Sequence, residues 1–222
     1  MSDYLIFKYV LDVNIKKIKS LLEKNRNLLN LRGPDGNVPI HAACLKLNKK
    51  LIDFFLSYDK NLLNESNSNK VNGYQILAAL DISLLLYYLK EYPPINIHHK
   101  DIAGRTFLVT YLLFNKYENL NDAKKLKDFG CSLIYPKDVN SVYFLLEKCD
   151  LLNDLSKIFE MDLNNLHYNT PISFSTLYKN DLKCLKSLVK LGIDLNLESE
   201  TDNIVSLAIK EKNLKFLEYF PS

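Results

Sequence analysis

The stretch Tyr168 to Glu198, YNTPISFSTLYKNDLKCLKSLVKLGIDLNLE, constrains this chain more than any other. Thr170-Pro171 marks a helix start, because proline at a first helical position has its φ pre-set and gives up no useful N–H. Ile172, Phe174, Leu177 and Tyr178 then recur at helical spacing and predict one apolar stripe on a short helix. Asn180-Asp181 breaks the pattern, with Asp181 placed to cap a second helix whose stripe is Leu182, Leu185, Leu188 and Val189. Gly192 follows where a left-handed C-cap is needed, and Asp194-Leu195-Asn196 leads out through a polar loop. Two helices this short cannot bury their apolar faces alone and require copies of themselves on either side.

Such copies run along the chain. Ser2 to Asn30 reads as a leading half-cap, with Tyr4, Leu5 and Phe7, then Ile15, Ile18, Leu21 and Leu22, as its stripes. A second unit opens at the Asp35-Gly36 turn, continues through Val38-Pro39-Ile40-His41-Ala42-Ala43-Cys44, and completes its second helix with Ile52, Phe55 and Leu56. A compressed unit begins at Asn72-Gly73, has its helices joined near Asp81, and ends at Tyr92-Pro93-Pro94. The fourth follows the turn His98 to Gly104 and is expected to have longer helices, 106–116 and 119–129, closed by Gly130. The segment 136–160 is the most degenerate, and 201–222 is polar enough for a terminal cap. Equivalent motif positions Ile40, Leu77, Leu108, Ile172 and Leu207 are 37, 31, 64 and 35 residues apart. The gap of 64 is two units of a period near 33 residues.

The segment resembles an ankyrin repeat, whose pattern is Thr-Pro-Leu-His, a helix pair ending Leu-Leu-x-x-Gly, and an Asp-Val-Asn exit. Thr170-Pro171-Ile172-Ser173, Leu188 to Gly192 and Asp194-Leu195-Asn196 carry it here, and Val38 to Cys44 carries it a second time. The resemblance implies an all-α ankyrin-repeat solenoid of six to seven helix–turn–helix units with divergent caps. Its units fall at approximately 1-32, 33-69, 70-100, 101-137, 138-166, 167-200 and 201-222 of a single domain, 1-222.

Composition sets the class of partner. A net charge of +3 is mildly basic, and the clusters Lys16, Lys17, Lys19 and Lys124, Lys125, Lys127 are interrupted by apolar residues, the pattern of solvated helix faces rather than a phosphate-binding strip. No nucleic acid, membrane, metal or cofactor is expected. The most apolar run, Ile76 to Leu89, is too short to span a bilayer and contains Asp81. The four cysteines Cys44, Cys131, Cys149 and Cys184 form no C-x-x-C pair, which predicts reduced thiols and, with no leader evident, a cytoplasmic setting, or a host cytosol if the chain is delivered there.

No nucleotide loop, nucleophile elbow or zinc-protease motif is present, so a non-enzymatic chain is expected. His41 occupies the family's structural histidine slot; His98-His99 lacks a second ligand pair, and His167 reads as a turn residue. The family's binding face consists of turn residues before the Thr-Pro-Leu-His motif and the outward end of the first helix. Carried over by position, the resemblance implies Pro34, Asp35, Asn37 and Lys46; Asn72, Tyr74 and Ser83; Arg105 and Phe114; His167, Asn169 and Tyr178; and Asp202 and Lys212. The expected function is a protein-interaction module acting as adaptor, inhibitor or assembly chaperone. An effector of an intracellular bacterium or virus and a proteasome-assembly chaperone of the gankyrin type are specific versions; an enzyme with its site in 111–160 is the alternative of another class.

Overall fold

A computed structural model of the chain describes residues 4–115, 120–134, 141–199 and 202–220. They form two compact units, Met1–Gly130 and Cys131–Ser222. Both are helical throughout, and extended pairing among the described residues is limited to isolated bridges at loop tips.

Unit 1 contains four helix pairs: α1 (Leu5–Leu11) with α2 (Ile15–Lys24), α3 (Pro39–Leu45) with α4 (Lys49–Leu56), α5 (Gly73–Leu80) with α6 (Ile82–Glu91), and α7 (Phe107–Phe114) with α8 (Asn121–Asp128). The first helices pack as a row, α1 on α3, α3 on α5 and α5 on α7, and each also packs on its own second helix. Asn14, Asn48, Asn72, Asp81 and Thr106 accept backbone N–H groups of their helices' first turns. This satisfies donors that the helix itself leaves unpaired.

The join between paired helices is itself repeated. Val13, Leu47, Asn180 and Lys212 all have φ between 51° and 53° and lie two residues beyond a first helix. Each donates its N–H back into the last turn, to Val10, Cys44, Leu177 and Ile209 respectively. The third pair omits this joint. Asp81 ends α5 and caps α6 at once, its Oδ1 accepting from the Leu84 N–H at 3.0 Å, which is the physical form of the compression read in the sequence.

Between pairs, each chain excursion makes a narrow finger: the turn 33–37, with the Gly33 N–H on the Asn37 carbonyl, and bridges Ser66–Asn72 and Lys100–Thr106. Neighbouring fingers are laced together by the Ser68 N–H on the Asp35 carbonyl and the Ile102 N–H on the Asn69 carbonyl, both 2.9 Å. Gly36 is required at the first tip: its φ is +69°, and a Cβ there would lie 2.4 Å from Ser68 Oγ.

Unit 2 is built in the same way: α9 (Ser141–Leu145), α10 (Cys149–Leu155), α11 (Ile172–Tyr178), α12 (Leu182–Lys190), α13 (Ile204–Lys210) and α14 (Leu214–Leu217). α9, α11 and α13 make the inner row, and α10 packs on α12. The core of its last two pairs is Phe174, Leu177, Leu185, Ile204, Leu207, Ala208 and Phe216. Asp181 caps α12, and Gly192 adopts φ +90° after it, both as the sequence indicates.

Four expectations are corrected. The helices of the fourth pair are eight residues each, no longer than those of the third pair; positions 116 and 119, where longer ones were expected to end and begin, lie outside the described residues. The helix after Pro171 starts at Ile172, with Pro171 as its flanking residue. Tyr178, read both on the apolar stripe of its helix and on the binding face, is 64% exposed and so lies outside the buried part of that stripe. Finally, Cys149 and Cys184 are not separate thiols: a disulfide joins them, with Cα atoms 5.4 Å apart, and ties α10 to α12. No spacing rule pairs cysteines 35 residues apart in sequence, but one repeat period places them on adjacent second helices. Cys44 and Cys131 are free and buried. No described helix is long and apolar enough to cross a membrane.

Candidate protein-interaction surface

The inner row buries one side of each first helix and leaves the last turn of each in solvent. In unit 1 an apolar residue stands there every time: Leu11 is 56% exposed, Leu45 57%, Leu80 48% and Phe114 61%. They are 34, 35 and 34 residues apart, one per repeat. Neighbouring packed helices have axes roughly 8–10 Å apart, so these side chains form a ladder with rungs at about that spacing. Single exposed apolar residues need no explanation; a ladder in register with the repeat does.

Three of the rungs, Leu45, Leu80 and Phe114, line a groove of about 220 Å³ that also takes in Ile76 and Ala79. Its polar wall is the pair Asp101–Arg105. Arg105 Nε and Nη2 lie 2.8 and 2.7 Å from Asp101 Oδ2, while Asp101 Oδ1 accepts from the Ala103 and Arg105 N–H groups. The Asp101 side chain is buried and that of Arg105 is one-third exposed, so the guanidinium is fixed in orientation while part of it faces solvent.

The residues placed on this face by resemblance divide. Phe114 and Arg105 meet in the groove. Pro34 and Asp35 are exposed at the first finger tip, and Lys46 is exposed just beyond α3. Asn37 is half-buried and braces the fingers, its Nδ2 donating to the Pro34 carbonyl and its Oδ1 accepting from Asn67 Nδ2. Three are corrected. Tyr74 has no solvent exposure; its hydroxyl donates to the Tyr92 carbonyl and its ring packs beside Phe107. Asn72 is buried as the cap of α5, exchanging hydrogen bonds with Gln75. Ser83 is exposed but sits on the second helix, α6, because α5 ends at Leu80 and shifts the register. Leu11, Leu45 and Leu80 were missed: a leucine closing an apolar stripe looks like core, and only the repeat period marks it as surface.

In unit 2 the inner row ends in exposed Tyr178 and Ile209, 31 residues apart. Asn169 is exposed at the finger tip beside Tyr168, whereas His167 is buried. Lys212 is exposed at the joint after α13. Asp202 holds Lys210 at 2.7 Å and accepts from Ser206 Oγ at 3.0 Å; the lysine first, and then the serine, keeps its carboxyl below the usual range.

Burial pushes the Cys44 thiol far up and that of Cys131 up to about 12, the reverse of an activated nucleophile. His99 Nε2 sits 2.7 Å from the Lys70 carbonyl. Among the described residues, the group of three potential metal ligands, Cys149, Asp181 and Cys184, includes both sulfurs of the disulfide. Region 111–160 contains no histidine.

No family model matches the chain, and no curated protein matches it in sequence. Solved structures do match in shape. The ankyrin repeat domain of Bcl-3, described as a unique member of the IkappaB protein family, superposes with a TM-score of 0.66 over 89% of this chain and 90% of that one, at 14% identity.

Proposed function

The fold of this chain is that of an ankyrin-repeat domain, and from it we propose a non-enzymatic protein-interaction module that grips its partner through the exposed ends of its inner helices. The observation that carries this is the ladder Leu11, Leu45, Leu80 and Phe114. These four side chains are already near half buried, so covering the rest is worth about half of the roughly 1.5–3 kcal/mol that full burial of each gives. Association costs about 4–15 kcal/mol in lost freedom, so the ladder alone is marginal. Directed polar contacts from Asp35, Asn37, Lys46 and Arg105 supply the remainder and set orientation; Asn169, Tyr178 and Asp202 are proposed as contacts of unit 2 taken by itself. The partner is a protein surface or segment with apolar residues spaced to the rungs. Adaptor, inhibitor and assembly chaperone all use such a surface; delivery as an effector and a gankyrin-type role are narrower versions of it. The cytoplasm is the setting we propose from the two free thiols, and thiol labelling of freshly isolated protein will show whether Cys149 and Cys184 are oxidised there.

The test is capture of partners by crosslinking and mass spectrometry with the wild-type chain and with Leu45→Glu/Leu80→Glu/Phe114→Glu. The three sites are on the surface, so helix content by circular dichroism should be kept while partners are lost. A folded triple variant that retains every partner defeats the proposal.

A further inference from the structure

The inference concerns unit 2 and rests on the interaction reading above. Four observations meet at one finger. The finger His167–Thr170 is closed by the His167 N–H on the Thr170 carbonyl at 2.9 Å and the Thr170 N–H on the His167 carbonyl at 3.1 Å. Its two tip residues, Tyr168 and Asn169, have φ of 47° and 63°. Such a two-residue hairpin turn is the usual place for Asn-Gly, and an aromatic residue at its first position holds a strained backbone. Its ring stands at the tip: Tyr168 is edge-on to His167, with centroids 4.7 Å apart, while remaining 61% exposed.

Behind that ring, His167 stacks face to face on Tyr143 at 3.7 Å, with Phe144 edge-on at 5.5 Å. Burial pulls its pKa down and keeps the imidazole neutral near pH 7. The residue is only 9% exposed, and its Nδ1 has no hydrogen-bond partner. In front lies a pocket of about 460 Å³ whose walls are Tyr143, His167, Tyr168, Thr170, Ser175 and Tyr178, with no charged side chain among them. Unit 2 as a sequence segment carries 10 Lys against 13 Asp and Glu, a formal −3, whereas unit 1 carries 19 Lys and Arg against 13 acids, a formal +6.

The geometry points to this pocket as a receptor for a guanidinium group, an arginine side chain presented by the partner. Aromatic faces attract a cation through their negative π surface. A guanidinium is planar, stacks on a phenol ring and carries five N–H donors; Thr170 and Ser175 hydroxyls and the neutral His167 nitrogen are acceptors. His167 Nδ1, buried and without a partner, is the acceptor that an arriving donor pairs. Lysine fits less well, since its ammonium is a strongly hydrated point charge that cannot stack flat. An anion would face π surfaces within an acidic unit.

Amide chemical-shift titration of the full chain tests this, with N-acetyl-arginine amide as probe and N-acetyl-citrulline amide as an uncharged isostere. Saturable shifts at His167, Tyr168 and Tyr178 are expected for arginine, with citrulline at least several-fold weaker. Tyr168→Asn, which keeps a residue suited to the turn, and Tyr178→Ala, at an exposed site, should each weaken arginine about two- to fivefold. Equal binding of citrulline, no saturable shift, or undiminished shifts in both variants overturns the inference. Failure here, with partner loss in the unit 1 triple variant intact, leaves the interaction reading standing. Arginine binding by a chain that captures no partner does the opposite.

Discussion

His41 ties its own helix to the following finger: its Nδ1 accepts the Val38 N–H at 3.0 Å, and its Nε2 lies 2.8 Å from the Glu65 carbonyl. These two bonds define one neutral tautomer, with the proton on Nε2. Val38 stands where the family pattern has threonine, so the ring bonds backbone on both sides and needs no hydroxyl.

A pH dependence follows. Burial, with Arg32 adding to it, lowers the His41 pKa against the opposing pull of the Glu65 carbonyl. The unfolded chain therefore binds the proton more readily, and the stability held in neutral His41 is complete above the unfolded value of about 6.5 and is lost as pH falls below it toward the lowered folded value. His98 and His167 are lowered too and act with the same sign. Urea midpoints measured from pH 7.5 to pH 5 should fall, and His41→Gln should flatten the slope while lowering stability by about 1–3 kcal/mol.

Arg105→Ala should cost about 1–2 kcal/mol. That is less than the loss of a fully buried partner, because Asp101 keeps two backbone donors and Arg105 is partly solvated. Arg105→Lys keeps the charge without the fork and should recover only part of it. Chemical unfolding of the two variants side by side decides this.

Cys184→Ser should lower the stability of unit 2 by about 2–4 kcal/mol, since the bond closes a loop of 35 residues. Reductant should reproduce the effect in the wild-type protein. Hydrogen exchange should place the loss in residues 141–199, with the protection of α3, α5 and α7 unchanged.

Val13→Gly should raise stability. Left-handed backbone costs a β-branched residue about 1–2 kcal/mol, and glycine returns roughly 0.5–1 of that as extra chain entropy, for a net gain of about 0.5 kcal/mol. A thermal melt of the variant should shift upward by about 1–2 °C; an unchanged or lower midpoint contradicts the account.

Much of this was legible before any coordinates. Pro39, His41, Asp181 and Gly192 act locally, each through its own backbone or side chain, so their sequence positions disclose their roles. Ser83 and Leu80 were misread together, because both depend on where α5 stops, and that is settled by Asp81 serving two helices at once. Tyr74 lies at the start of α5 and is buried instead by Tyr92 and Phe107. The disulfide and the aromatic pocket around His167 join residues that are distant in sequence, and no local pattern encodes which of the possible partners will meet. Tyr168 was hidden for another reason: a tyrosine in a hairpin tip gives no turn signal of the Asn-Gly kind.

The row Leu11, Leu45, Leu80 and Phe114 works as a ruler graduated once per helix pair. On the interaction we propose, it measures a bound segment in whole steps, so a segment whose greasy residues fall at other intervals finds solvent where it needs a mark. Duplicating or deleting one pair lengthens or shortens the scale by a single graduation and leaves the others readable. Discrimination by interval is thus inherited from the periodic seam itself, and can change without redesign of any one side chain.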